Sequence, residues 1–412
     1  MITWATPNVP SLPGNGPTVM LHDATTGVLQ PAATGPVATL YVCGITPYDS
    51  THLGHASTYL AFDLLRRAWL DQGLTVRAAS NVTDVDDPLL ERADATGVDW
   101  RELAADQSAL FAQDMAALSV LPPDVYVAVS ECVPRLAEVV EQMLAAGAAY
   151  RVPTPEVDGP GDVYADLGVD PAFGSVSGFD EPTMLALSAQ RGGDPQRAGK
   201  RHPLDPLLWR RERPGEPAWE AGVLGRGRPG WHIECAVIAL DGLGLPIDVQ
   251  GGGSDLLFPH HEMSCSHARV LAPGTTPARV HTHAGMVALD GQKMSKSLGN
   301  LVFVGRLREQ GADPSAIRLA VHAHHYRDDW EWTQVGLDEA LLRLDRWREA
   351  AARPTGPSGE LLLAEVRAAL SDDLDSPRAL AAIDAWAGTD GDDPQAPALV
   401  TMVAEALLGV RW

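Results

Sequence analysis

A chain of 412 residues is too long for one ordinary hydrophobic core, so we expect two or three structural units. No run of eighteen apolar residues is present, and the early Pro and Gly residues do not resemble a signal peptide, so we expect a cytoplasmic protein with no membrane partner. The net charge of -23, from 54 acidic and 31 basic side chains, opposes tight binding to a nucleic-acid backbone.

The first strong element along the chain is a β-rich run at residues 39–45, which follows an irregular lead-in. Residues 53–72 carry apolar side chains at helical spacing, and residues 75–81 read as another strand. Strand, helix and strand within some forty residues form the unit of a parallel sheet, in which ligands bind at the carboxyl ends of the strands.

The same order returns later, with a short strand at 246–250, a flexible glycine loop at 251–255, a helix at 258–271 and a strand at 280–289. Between the two blocks, a stretch rich in Pro, Gly and Asp follows a helix at 133–148, which indicates an insertion into the sheet domain. From residue 314 onward the pattern is helical, with a linker at 353–359.

The motif His52-Leu53-Gly54-His55 stands at the predicted start of the first long helix. Exposed backbone amides at a helix N-terminus favour an anion, and Gly54 lets a large flat ligand approach the backbone. The two imidazoles could therefore bind phosphate and stabilise charge in a transition state. A purely structural histidine pair is an equally open interpretation.

A second motif, Lys293-Met294-Ser295-Lys296-Ser297, lies in a loop flanked by glycines. The chain has only three lysines, and two of them fall in this loop. One explanation is chance in a chain that prefers Arg. The explanation we favour is that two compact ammonium groups on a closing loop neutralise the pyrophosphate that leaves a triphosphate.

Together the two motifs resemble the signature pair of class I aminoacyl-tRNA synthetases. Four more segments resemble the cysteinyl branch of this class in particular. They are residues 41–44 (YVCG), 81–87 (NVTDVDD), 230–235 (GWHIEC) and 251–255 (GGGSD). The resemblance covers most of residues 39–330.

The resemblance implies an α/β fold with a Rossmann-like class I synthetase catalytic domain, a parallel sheet with helices on both faces. We expect this domain to be split between 1–114 and 226–290, with a connective insertion at 115–225. The lysine loop and a helical region like a stem-contact fold would occupy 291–345, and a C-terminal helical domain would occupy 346–412.

Within the cysteinyl branch the chain resembles the ligases of mycothiol biosynthesis, which join cysteine to glucosaminyl-inositol, more than the cysteinyl-tRNA synthetases. The features that it shares with the ligases are Thr46-Pro47-Tyr48-Asp49, Pro88, Gln250 and the segment 191–195 (RGGDP), although Gln190 stands where a ligase usually has Glu. Residues 351–412 hold ten acidic and four basic side chains, so we expect no anticodon-binding domain and no tRNA partner. Cysteinyl-tRNA synthesis remains the alternative activity.

The resemblance also implies one zinc ion per chain, held by Cys43, Cys235 and His260. The family's fourth ligand, a Glu, is Ser264 here, and Cys265 is expected to pack against the rest of the helix instead. Three protein ligands leave one tetrahedral position open for the thiolate of the substrate, which would select cysteine over serine without an editing domain.

The implied substrates are L-cysteine, ATP with Mg²⁺, and glucosaminyl-inositol. We expect the protein to be a monomer. Cysteine would be activated as an adenylate with release of pyrophosphate, and the sugar amine would then displace AMP. The residues expected to neutralise charge are His52, His55, Lys293 and Lys296. The residues expected to bind the cysteinyl adenylate are Cys43, Gly44, Ile45, Thr46, Thr58, Asn81, Val82, Thr83, Trp231, Gly253, Ser254, Asp255 and Val287.

Several of these side chains have a structural alternative. Trp231 could be a core aromatic residue, and the acidic residues at 84, 86 and 87 could brace their own loop. The histidines at 261, 281 and 283 are expected to be structural. We expect the acceptor to be bound by the loop at 84–87 and by the insertion.

Overall fold

The structure is a computed structural model that describes residues 3–49, 51–155, 159–294 and 299–412. Its strands are β1 (Met20–Asp23), β2 (Val28–Pro31), β3 (Val37–Val42), β4 (Thr75–Val82), β5 (Val125–Ala128), β6 (Ala149–Val152), β7 (Asp162–Ala165), β8 (Leu207–Arg211), β9 (Gly227–Pro229), β10 (Ile247–Gly253), β11 (Ala278–Ala284), β12 (Val287–Leu289), β13 (Gln292–Lys293) and β14 (Trp330–Glu331). Its helices are α1 (Leu53–Asp71), α2 (Asp87–Thr96), α3 (Trp100–Ala117), α4 (Val129–Ala145), α5 (Glu181–Gln190), α6 (Trp231–Leu243), α7 (Glu262–Leu271), α8 (Val304–Glu309), α9 (Pro314–His322), α10 (Gln334–Ala351), α11 (Gly359–Ser371), α12 (Ser376–Ala387) and α13 (Ala396–Val403).

A five-stranded sheet in the order β11-β10-β3-β4-β5 forms the centre of the molecule, and all its neighbouring strands are parallel. Its middle strands are mostly buried, as expected of a parallel sheet covered by helices on both faces. The predicted α/β class is confirmed. The loops that follow β3, β4 and β10 leave the same edge of this sheet.

Helix α1 begins and ends close to the predicted residues. His52 is its N-cap and accepts a hydrogen bond from the backbone N–H of His55. The apolar side chains at helical spacing, among them Leu60 and Leu64, are fully buried against the sheet. The helix ends before Gly73, which adopts a left-handed conformation.

The glycines at 251–253 differ from the sequence prediction, because they continue strand β10 instead of forming a loop. Gly251 pairs with Thr282 of β11, and a Cβ atom at Gly251 would lie 2.2 Å from the ring of Phe62 on α1. Glycine is therefore needed here for close packing of helix on sheet. The predicted helix from 258 starts as a π-helical turn at Leu257–His261, with extended backbone at Phe258, and continues as α7 from Glu262. The predicted strand 280–289 is divided into β11 and β12.

The inserted segment forms its own antiparallel sheet in the order β6-β7-β8-β9. Strand β5 lies inside the range 115–225 that the sequence assigned to the insertion, yet it pairs with β4 at the edge of the central sheet. We therefore propose that β5 belongs to the catalytic domain, because it pairs with β4, and that the insertion begins at β6.

The C-terminal helices share the hydrophobic core of the catalytic domain, which runs from Trp4 to Val410. A buried carboxylate, Asp63 on α1, accepts hydrogen bonds from Arg67 and Arg318. Arg67 also donates to the backbone oxygen of Glu405 at 2.8 Å, so α1 and the chain terminus are tied together. The division at residue 346 stays a proposal. Among the described helices none is both long and apolar enough to cross a membrane.

Candidate active site

A cleft of about 840 Å³ opens at the edge of the central sheet where the loops after β3, β4 and β10 meet the insertion. Its volume is in the range of small-molecule sites. The predicted adenylate residues that line it are Cys43, Gly44, Ile45, Thr46, Thr58, Trp231, Gly253, Asp255 and Val287. The predicted residues that do not line it are Asn81, Val82, Thr83 and Ser254.

Asn81 braces the wall of the cleft. Its side-chain oxygen accepts a hydrogen bond from the backbone N–H of Gly44 at 2.8 Å, and its amide donates to the hydroxyl of Thr83 at 3.0 Å. The backbone N–H of Thr83 donates to the oxygen of Ile45 at 2.9 Å. These bonds join the ends of β3 and β4, so Asn81 and Thr83 stabilise the residues that line the cleft. Direct contact between these two side chains and a ligand stays a prediction.

His52 and His55 both line the cleft, with their rings stacked and their centroids 3.7 Å apart. Burial, and then the neighbouring His52, lower the pKa of His55 well below its ordinary value, so that its imidazole is neutral at pH 7. The Nδ1 atom of His55 is buried and has no hydrogen-bond partner among the described residues. The backbone amides of Leu53 and His55 already donate to Val302 and His52, so the first turn of α1 presents the positive end of the helix dipole and a neutral imidazole to a ligand.

The lysine loop is described only in part. Lys293 pairs through its backbone with Ala288 between β13 and β12, and Met294 is buried and lines the cleft. Ser295, Lys296 and Ser297 lie outside the described residues. The roles of Lys293 and Lys296 stay predictions.

Cys43, Cys235 and His260 come together in one buried cluster, with one ligand atom from each within 4.8 Å of the others. Cys43 follows β3, Cys235 lies in α6, and His260 lies in the turn before α7. The Nε2 atom of His260 is 3.1 Å from Sγ of Cys235, while its Nδ1 atom faces Nδ1 of His232 at 3.0 Å. The ring of Trp231 stacks on that of His260 with centroids 4.3 Å apart.

The donors of this cluster fit a zinc ion. Two sulfurs and one imidazole nitrogen, all buried, are donors that zinc prefers, and the hydrogen bond of His260 to His232 fixes the orientation of the ring. Burial by itself would raise the pKa of the Cys235 thiol, but hydrogen bonds from Cys43 and His260 and the charge of His260 lower it well below its ordinary value. A thiolate at Cys235 is the form that binds a metal.

Two neighbours of the cluster are not part of it. The hydroxyl of Ser264 donates to the backbone oxygens of His260 at 2.7 Å and His232 at 3.1 Å. The thiol of Cys265 donates to the side chain of Gln250 at 3.4 Å, in agreement with the packing role that its helical position predicted.

Sequence reasoning missed the position of His261. Its Nε2 atom is 3.2 Å from Sγ of Cys43, and its Nδ1 atom is 2.8 Å from Nε2 of His283. Burial and the neighbouring histidines lower the pKa of His261 well below its ordinary value. A structural role was expected for His261. Its position beside the cluster depends on the conformation of the turn before α7, which no sequence pattern predicted.

The segment 191–195, which resembled the ligases, lies on the insertion side of the cleft. The guanidinium of Arg191 donates to the backbone oxygens of Asp255 and Phe258. Lys200 donates to Asp194 at 2.9 Å, and both line the cleft. The segment thus fastens the insertion to the loop after β10.

Acidic residues form the wall near the loop after β4. Burial raises the pKa of Asp86 to about 6, and burial together with the nearby carboxylate of Asp86 raises the pKa of Glu234 well above its ordinary value. Both side chains line the cleft. Asp86 was a suspected loop brace in the sequence, whereas Glu234 was not recognised there.

A family model described as tRNA synthetases class I (C) catalytic domain matches residues 29–342. Relatives from Sanguibacter keddieii, Cellulomonas flavigena and Streptomyces coelicolor are 64%, 63% and 56% identical, with 100% of this chain and 100% of each relative covered. Each of these relatives carries the name L-cysteine:1D-myo-inositol 2-amino-2-deoxy-alpha-D-glucopyranoside ligase.

Solved structures agree on the fold. Methionyl-tRNA synthetase of Mycobacterium tuberculosis with methionyl-adenylate superposes with a TM-score of 0.61 at 17% identity, covering 90% of this chain and 89% of that one. The leucyl enzyme (LeuRS) of Agrobacterium radiobacter K84 gives 0.62 at 12% identity, covering 99% and 86%. The chain therefore belongs to the class I (C) tRNA synthetase catalytic-domain family and, within it, to the branch of the cysteine ligases named above.

Proposed function

We propose that this protein ligates L-cysteine to the amine of glucosaminyl-inositol through a cysteinyl adenylate, with ATP converted to AMP and pyrophosphate, in mycothiol biosynthesis. The names of full-length relatives at 56–64% identity support this activity. The observation that carries it is the position of the buried cluster of Cys43, Cys235 and His260, whose member Cys43 lines the same cleft as His52 and His55. A thiol-selecting group and a phosphate-binding helix end thus share one site.

We propose that Cys43, Cys235 and His260 hold one zinc ion. When bound, the ion would take the sulfur of substrate cysteine as a thiolate and so reject serine, whose hydroxyl is a harder and less acidic ligand. His232 holds the ring of His260 in place through the contact between their Nδ1 atoms. Trp231, stacked on His260, closes the wall beside the amino acid.

In the activation step the carboxylate of cysteine attacks the α-phosphate of ATP, which binds with Mg²⁺, and pyrophosphate leaves. Charge that develops on the phosphates meets the positive end of the α1 dipole and the side chains of His52 and His55. Lys293 and Lys296 are proposed to complete this role with their two ammonium groups. Asp255, whose backbone oxygen accepts from Arg191, is proposed to bind the ribose.

In the transfer step the neutral amine of the sugar attacks the carbonyl carbon of the adenylate and a C–N bond forms. AMP leaves with the electrons of the C–O bond, and the nitrogen gives up one proton to solvent. We propose that a monomer carries out both steps on small molecules, without tRNA. The excess of acidic side chains in residues 351–412 supports this proposal, because it opposes contact with a polyphosphate chain.

The test is to supply the zinc-loaded protein with cysteine, ATP and either glucosaminyl-inositol or bulk tRNA, and to identify products by mass spectrometry. We expect cysteinyl-glucosaminyl-inositol together with AMP. Cysteinyl-tRNA as the product, or no product that depends on an acceptor, would overturn the proposal.

A further inference from the structure

One corner of the cleft, here called the acid corner, is formed by Asp86 and Glu234. Three elements meet there: the loop after β4, strands β8 and β9 of the insertion, and the first turn of α6. The side chains of Val85, Pro88, Arg210 and Arg228 line the cleft beside the corner. The corner adjoins the thiol cluster, because Glu234 directly precedes Cys235 in α6.

The other charged groups of this wall are paired with one another. Arg228 donates to the carboxylate of Asp87, and its Nε atom donates to Glu216 at 3.3 Å. Arg210 binds the same Glu216 with two hydrogen bonds, of 2.9 and 2.7 Å. Both arginines of the wall are therefore occupied by Asp87 and Glu216, and the insertion is held against the loop after β4.

The two carboxyl groups of the acid corner feel the charge of Arg228, but neither contacts a cation among the described residues. Glu234 is only 1% exposed, yet its Oε2 atom has no hydrogen-bond partner among the described residues. One oxygen of Asp86 accepts from the backbone N–H of Asp87 at 2.8 Å, which caps α2. Within the described chain neither group forms an ion pair.

Burying a carboxyl oxygen without a hydrogen bond costs free energy that a neutral apolar side chain would not cost. A bound ligand that donates a hydrogen bond to such an oxygen in a cleft would offset this cost. The donor that suits two neighbouring carboxyl groups is an amine or ammonium group, and adjacent hydroxyl groups suit the paired Asp87 and Arg228, which line the cleft beside it.

We propose that the acid corner, Asp86 and Glu234, binds the amine of the acceptor sugar and holds it on the amino-acid side of the cleft. This inference rests on the proposed function and adds the acceptor site to it. The corner lies beside the insertion and the thiol cluster. The residues proposed for the nucleotide lie at the end of β10 (Gly253), just after it (Asp255) and at the start of β12 (Val287). An amine at the corner would approach the carbonyl of the adenylate without crossing the nucleotide site.

The competing ligand is the α-ammonium group of cysteine, which also enters this side of the cleft. The two ligands are separated by measuring the two half-reactions independently. Exchange of pyrophosphate into ATP needs cysteine but no acceptor, whereas product formation needs both.

The variants are Glu234→Gln and Asp86→Asn, which keep the size of each side chain. Asn is as good an N-cap as Asp, so Asp86→Asn preserves the start of α2. Asp94→Asn, an exposed change on the same helix, is the matched control. Zinc content and the KM values for cysteine and ATP in exchange are measured for each variant, followed by kcat/KM for glucosaminyl-inositol.

We expect unchanged zinc content and exchange in both variants, with kcat/KM for the acceptor lowered by about tenfold, the factor that corresponds to about 1.4 kcal/mol. An acceptor analogue with a hydroxyl group in place of the amine serves as an inhibitor. It should bind the wild-type protein less tightly than the aminosugar does, and the variants should lose that preference.

A raised KM for cysteine in exchange, with acceptor kinetics unchanged, would overturn the proposal in favour of the α-ammonium group. Wild-type kinetics in both variants would also overturn it and leave the corner with a structural role only. Failure of the proposed function would look different, because the wild-type protein itself would then form no product from glucosaminyl-inositol.

Discussion

His232 and His260 face each other through their Nδ1 atoms at 3.0 Å, and this contact leaves Nε2 of His260 3.1 Å from the thiol of Cys235. One imidazole thus sets the direction in which the other offers its ligand atom. Burial and the neighbouring histidines, His260 first, lower the pKa of His232 well below its ordinary value, so His232 supports His260 as a neutral ring. Histidine ligands of metals are commonly oriented by such a partner.

His232→Ala should therefore weaken zinc binding without removing a ligand. We expect the affinity for zinc to fall about 10- to 100-fold, the usual effect of losing an outer hydrogen-bond partner. Competition with a chromogenic chelator measures the affinity. His202→Ala, on the insertion, is the control, and equal zinc affinity in the two variants would contradict the orienting role.

Cys235→Ser tests the cluster itself. The hydroxyl of Ser does not ionise near neutral pH and is a poor zinc ligand, so bound zinc and cysteine-dependent exchange should fall by more than the roughly 10- to 100-fold expected for His232→Ala. Cys265→Ser is the matched control, because that thiol is equally buried but contacts Gln250. Metal analysis of both variants checks the prediction, which fails if Cys235→Ser retains one zinc per chain.

Gly44→Ala should disrupt the end of β3. A Cβ atom at Gly44 would lie 1.5 Å from the backbone oxygen of Asn81, so β3 and β4 would have to separate. We expect a loss of more than about 3 kcal/mol in the free energy of unfolding, beyond the usual range for single substitutions. Gly35→Ala has its closest contact at 4.0 Å and is the control in denaturant titrations. Similar midpoints for the two variants would contradict the clash.

Asp63→Asn should destabilise the junction between α1 and the C-terminal helices. It leaves Arg67 and Arg318 buried without their carboxylate, and breaking a buried pair in this way costs about 3–5 kcal/mol. Thermal unfolding measures the loss. Asp345→Asn, in an exposed pair with Arg348, should change stability little. A small effect at Asp63 would show that the arginines find other partners.

The same carboxylate predicts how stability depends on pH. Burial by itself would raise the pKa of Asp63, but the charges of Arg318 and Arg67 hold it well below its ordinary value. A group whose pKa is lower in the folded state stabilises the protein fully above its unfolded pKa, and that contribution is lost as the pH falls toward the folded pKa. Between pH 7 and pH 3 the wild-type protein should therefore lose more stability than Asp63→Asn. Parallel pH profiles of the two proteins would contradict this assignment.

Local patterns in the sequence were enough to predict much of this protein. The alternation of strand and helix around Cys43 and His52 predicted the parallel sheet, because the side chains that face the core recur with the period of each element. The match to family motifs predicted the three residues of the thiol cluster, and the structure brings Cys43, Cys235 and His260 within 4.8 Å. The packing role of Cys265 followed from its position on the helix.

Tertiary contacts decided the rest. The glycines at 251–253 are strand residues because β11 pairs with them and Phe62 needs the space, and β5 joins the central sheet because β4 offers it a free edge. Residues far apart in the chain bury the Oε2 atom of Glu234, which has no hydrogen-bond partner among the described residues. Such distant residues also form the buried ion pair of Asp63 with Arg318. The sequence by itself determined the local elements and the chemistry of the site, through periodicity and motif. Only the folded structure decided which side chains are buried together, because burial and pairing depend on contacts between distant segments.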